Sequence, residues 1–180
     1  TKPTTQKQIS PVSNISQTGK ISEPKTESKG KTGNLDFLGN MYLKEAQRLK
    51  GDSAAKSYLK AIDTFIKCAE MEEDSTKKIT FLKMALKSAK DALLEKESSE
   101  TFHAYAIAYR ELANNHSGKI SAQGYIKMGD HFVAAAKMFL REENIVSAKE
   151  DFKSAYEVYK IALPDEDAKL KIASVQRFLK

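Results

Sequence analysis

Between Tyr42 and Glu73 the chain reads YLKEAQRLK, then seven residues, then YLKAIDTFIKCAEMEE, two stretches whose apolar residues fall three and four apart. In the first, Leu35, Leu38, Tyr42, Ala46 and Leu49 form one stripe; in the second, Ala55, Tyr58, Ile62, Phe65 and Ala69 do the same. That period belongs to a helix with a single buried face, and such a face has to be covered by another element. With Gly51-Asp52 at the joint, the pair predicts an antiparallel helical hairpin.

The same period continues to the C-terminus. Residues 75–95 carry Ile79, Leu82, Leu86, Ala89 and Leu93 on one face behind the candidate caps Asp74, Ser75 and Thr76. Helices are predicted over 99–114, 119–141 with a bend near Gly124 or Gly129, 144–162, and 165–179 after Pro164. Phe132, Ala135, Ala136 and Phe139, followed by Ala148, Phe152 and Ala155, have the small-and-aromatic spacing of a tetratricopeptide helix pair, although no equally clear copy lies 34 residues upstream. No stretch alternates as a strand would. The expected fold is all-α, built of tetratricopeptide-like antiparallel hairpins with about seven helices.

Composition sets limits on function. Residues 1–33 hold three of the four prolines and eleven Ser or Thr, so they are expected to form a disordered tail or linker; Ser10-Pro11 reads as ordinary linker sequence. Six Lys and two Glu there leave only +2 of the total +6 for the helical domain, residues 34–180. Its lysines are interleaved with acids, so direct nucleic-acid binding is not expected. No apolar run reaches the roughly 20 residues of a membrane span, and the sequence opens without a signal segment. The single cysteine, Cys68, has no internal disulfide partner, which points to a reducing compartment.

Groups able to carry chemistry are scattered. His103, His116 and His131 have no metal-ligand spacing, Cys68 lacks a nucleophile signature, and Glu70, Glu72, Glu73 and Asp74 read as solvated charge at a helix junction. Gly124 and Gly129 lack the strand and helix that frame a phosphate cradle. No enzyme activity, cofactor or metal is expected. The fifteen Phe and Tyr are more informative. Tyr156 and Tyr159, with Val158 and Ile161, cover more of one helix than a single inner stripe requires, and Phe178 and Leu179 end the chain; these are the candidate interface residues.

The wording of the first hairpin resembles the C-terminal homology domain of the AFF (lilliputian) family, the scaffolds of the super elongation complex in transcription. Tyr42, Glu45, Ala46, Arg48, Leu49 and Lys50 match its opening, and Tyr58, Leu59, Ala61, Phe65, Ile66, Cys68, Met71 and Glu72 match its second helix. Tyr109, Arg110, Leu112 and Ala113 echo a later run, so the resemblance covers about a third of the chain; the stretch joining the two helices is shorter than the family's. It implies a nuclear, non-enzymatic scaffold module that dimerises with itself or a related chain, while elongation factors bind regions outside this sequence. The alternative expectation is a monomeric tetratricopeptide-like adaptor that holds a partner's peptide or helix in a groove.

Overall fold

A computed structural model describes residues 32–116 and 120–180. The expectations placed on residues 1–31, including Ser10, and on Gly118 lie outside them. The described residues are all helical: α1 (Gly33–Ala46), α2 (Gly51–Met71), α3 (Ser75–Glu95), α4 (Ser99–Asn115), α5 (Ala122–Arg141), α6 (Ile145–Ile161) and α7 (Glu166–Leu179). Each helix packs on the one before it and the one after, so the chain doubles back at every short loop.

The helix starts follow from local chemistry. Asp74, Ser98, Ser121, Asn144 and Asp165 each accept a backbone N–H of the first turn, and Ser98 forms a capping box with Thr101. The cap at Ser121 is why α5 begins later than its apolar pattern implies. Between α5 and α6 the chain turns through Glu143 at φ +61°, where Asn144 donates to the Phe139 carbonyl at 2.8 Å and Glu143 to that of Leu140 at 3.2 Å. This is a Schellman closure with glutamate in the place glycine usually takes.

One expectation is corrected at the N-terminal end. α1 stops at Ala46, so Leu49 joins the core from the turn that follows and not from the helix, and Leu38 points outward. Just before α1, Thr32 is buried and its hydroxyl donates to Glu72, immediately past the end of α2, at 3.4 Å. The inner face of α1 is Leu35, Gly39, Tyr42, Leu43 and Ala46, in which Gly39 lets α1 approach the Phe65 ring.

Two apolar clusters share α4. Tyr58, Ile62, Phe65, Cys68, Phe81 and Leu82 centre the first, which reaches α4 through Ala104, Tyr105, Ala108 and Leu112. Ile126, Met128, Phe132, Phe152, Val158 and Tyr159 centre the second, which reaches the other side of α4 through Ala106, Ile107, Tyr109 and Ala113. α5 runs as one helix through Gly124 and Gly129, and Gly129 admits the Tyr159 ring. A Cβ at residue 129 would lie 2.7 Å from Tyr159 Cδ1, well inside contact distance. Gly129→Ala is therefore expected to lower stability by about 1–3 kcal/mol in urea titration, despite alanine's better helix propensity.

Candidate functional site

A groove lies between α4 and α6, floored by α5, with a volume of about 500 Å³. Tyr125, Met128, Val158 and Ile161 supply its apolar lining; Arg110, Glu150, Lys153 and Glu157 supply charge at its edges. The Arg110 guanidinium lies 5.6 Å from the centre of the Phe132 ring, which orients it along the α5 floor.

One hydrogen bond joins the walls beyond the groove's end. His103 Nδ1 of α4 and Asp151 Oδ1 of α6 are 2.7 Å apart, and His103 packs edge-on against Phe132 and Phe139. The Asp151 side chain is 2% exposed and that of His103 42%, so the pair is wet on one side only. Oδ2 of Asp151 is buried without a hydrogen-bond partner. A buried carboxylate with one oxygen satisfied depends heavily on that single contact.

A second tie holds α7. The Tyr159 hydroxyl donates to Asp130 Oδ1 at 2.6 Å, and Lys171 Nζ donates to the same oxygen at 2.7 Å. Burial, followed by the bond to Asp130, drives the Tyr159 phenol far above its ordinary pKa, so it stays a donor. On the other flank of α4, His131 of α5 stacks with Phe102 and lies 4.2 Å from the Tyr105 ring centre, and burial lowers its pKa.

The candidate interface residues do not form one outer surface. Tyr159 is 1% exposed and belongs to the core, which corrects its assignment to an interface. Tyr156 is half-buried beneath Lys160, and Phe178 stacks flat on Phe152 at 4.3 Å while leaving one side free beside Leu179. Among the motif residues, Ala46, Tyr58, Phe65 and Cys68 are interior, Tyr42 and Leu49 are half-buried, and Glu45 and Met71 are exposed. They are chiefly the packing residues of the α1–α2 hairpin. Burial, with help from Asp36 and Glu72, pushes the Cys68 thiol up to about 11, which leaves it unreactive.

The sequence pattern missed the outer face of α1. Phe37 is 68% exposed and Met41 51%, one turn apart, with Leu38 beside them and Lys44, Glu45 and Arg48 beyond. A shallow hollow of about 490 Å³ lies along Leu38, Met41, Tyr42 and Leu49. The signal was a second apolar stripe at residues 37 and 41, overlapping the inner one.

Among the described residues no group of three or more His, Cys, Asp or Glu could hold a metal ion. None of the helices is long and apolar enough to cross a membrane. No family model matches the chain, and neither a curated protein nor a solved structure does.

The His103–Asp151 pair makes a testable energetic claim. His103→Ala strands a buried carboxylate and is expected to cost about 2–4 kcal/mol, whereas adding Asp151→Ala should recover part of that loss; a double-mutant cycle in urea reads the coupling directly. His131 gives a pH dependence. Its folded pKa lies below the unfolded value, so the unfolded chain takes up the proton first. Stability should fall as pH drops below about 6.5 and level off once the folded form also protonates. A His131→Phe variant should lose that part of the acid sensitivity in thermal melts across pH.

Proposed function

We propose that this chain is a non-enzymatic protein–protein interaction module that self-associates, and that the outer face of α1 is its contact surface. The observation that carries the reading is Phe37 and Met41, exposed in register on a helix whose packing among the described residues is chiefly against α2. Isolated exposed apolar residues are ordinary on any surface. Leu94, Leu163 and Leu170 are of that kind. A contiguous pair on one stripe, flanked by Leu38 and the hollow beside it, is the pattern of a surface covered by a partner. The same face turned on itself about a two-fold axis closes a dimer and leaves no free copy of the patch.

The AFF-family resemblance of the hairpin supports placing that dimer in a nuclear transcription-elongation scaffold, coupling two scaffold chains and the factors they carry elsewhere. The tetratricopeptide-like spacing of α5 and α6 supports a repeat-type stack as the rigid body behind the contact helix. The α4–α6 groove favours a second reading, an adaptor that seats a partner's helix.

Light scattering over a concentration series is expected to give a dimer for the full chain. Phe37→Asp combined with Met41→Asp should give a soluble monomer with unchanged helical circular dichroism, since both side chains are already exposed. A chain that stays monomeric throughout would overturn self-association and leave the groove as the leading surface.

A further inference from the structure

α2 packs directly on α4 and α5 directly on α7, each pair meeting across the helix between them. α4 and α6 are spaced differently. The His103–Asp151 bond ties them at one end, and from Arg110 onward the groove of about 500 Å³ lies between them. Because the chain doubles back at each loop, its two walls run the same way. The α6 wall from Ser154 to Ile161 is about 10 Å long, two turns of helix. Part of the apolar lining still faces water: Tyr125 is half-buried and Ile161 is 59% exposed.

The charges of the two walls are ordered. On the α4 side stands Arg110. Of the four arginines in the chain, Arg48, Arg141 and Arg177 are exposed, and Arg110 alone is half-buried. A guanidinium is a planar fork that a carboxylate meets with two parallel N–H···O bonds. Among the described residues the acid that Arg110 meets is Glu111, its neighbour in the chain, at 3.7 Å from Nε, which is too long for a hydrogen bond. On the α6 side stand Glu150 and Glu157 with Lys153 between them, so that wall is acidic on balance.

We propose that the groove seats an amphipathic helix of another protein, whose apolar ridge rests on Tyr125 and Ile161 and whose carboxylate, on the edge toward α4, closes a two-pronged ion pair with Arg110. A basic residue on the partner's other edge meets Glu150 and Glu157. The order of charges selects this occupant. A nucleic acid would press its phosphates against Glu150 and Glu157 as well as Arg110. A small carboxylic acid would use Arg110 and leave the two-turn α6 wall unmatched. An arginine beside exposed apolar side chains is also the composition of the energetic centre of protein contacts. The proposal rests on the groove being a docking surface and is independent of the α1 contact face.

The test selects helical peptides of about 18 residues, randomised along one face and displayed as a library, against the full chain, and measures the enriched peptides by fluorescence anisotropy at about 100 mM salt. They are expected to carry an acidic residue on one edge of an apolar ridge. Ile161→Gln, at an exposed position, should weaken them at least about fivefold, and Arg110→Glu at least about tenfold. Replacing the peptide's acid with lysine should restore most of the binding to the Arg110→Glu chain, which damage to the fold could not produce. Arg177→Glu, the same reversal at an exposed site, should change binding less than about twofold. A selection that enriches nothing, or peptides indifferent to Ile161→Gln, would remove the groove as a docking surface. Peptides that need Ile161 but carry no acid, or bind the Arg110→Glu chain undiminished, would leave the groove standing and overturn its pairing with a carboxylate. Displacement by oligothymidine at a lower concentration than by unlabelled peptide would overturn the choice of partner.

Discussion

The burial of α4 from two sides is the constraint on which the rest of the structure depends. Ala106 and Ala108 are both fully excluded from solvent although they sit on opposite flanks, one in each apolar cluster. Alanine there lets the neighbouring helices approach closely, and the larger rings fill the space around them. Tyr105 and Tyr109, with stacked rings 6.3 Å apart, serve different clusters from the same helix. Remove α4 and two half-cores remain, each with an open face. The hairpin of α1 and α2 and the trio of α5, α6 and α7 are therefore coupled through one helix, and the groove and its histidine clasp exist because α4 also forms a wall.

Much of this architecture was legible in the sequence because it rests on period and punctuation. The apolar spacing, the candidate cap at Asp74 and the break at Pro164 placed most helix boundaries within a residue or so. Where α1 was misjudged, two overlapping stripes competed. Leu38 continues an apolar line that looks as strong as the real one, and the close approach of Gly39 to Phe65 marks which side is buried. Gly129 reads in the sequence as a weak point in a helix, and its role in making room for Tyr159 is visible only in the fold.

The site was less legible because its parts meet only through the fold. His103 and Asp151 are 48 residues apart, and neither has a neighbour that announces the other. Tyr159 was read as surplus apolar surface, since its bond to Asp130 and its contact with α7 cannot be seen from one helix. Pairing, unlike periodicity, is a property of the assembled structure.

The buried thiol of Cys68 carries one more consequence. It lies in the hairpin core, with Asp36 of α1 close enough to influence its ionisation, and it is the only cysteine in the chain. A reagent in solution can reach that sulfur only when packing around it opens, so the rate of its modification counts openings of the native molecule. Asp36 places α1 near that sulfur, so a movement of α1 away from α2 is one route to it. The protein thus contains its own clock for the breathing of its first hairpin, and anything that clamps α1 would slow that clock.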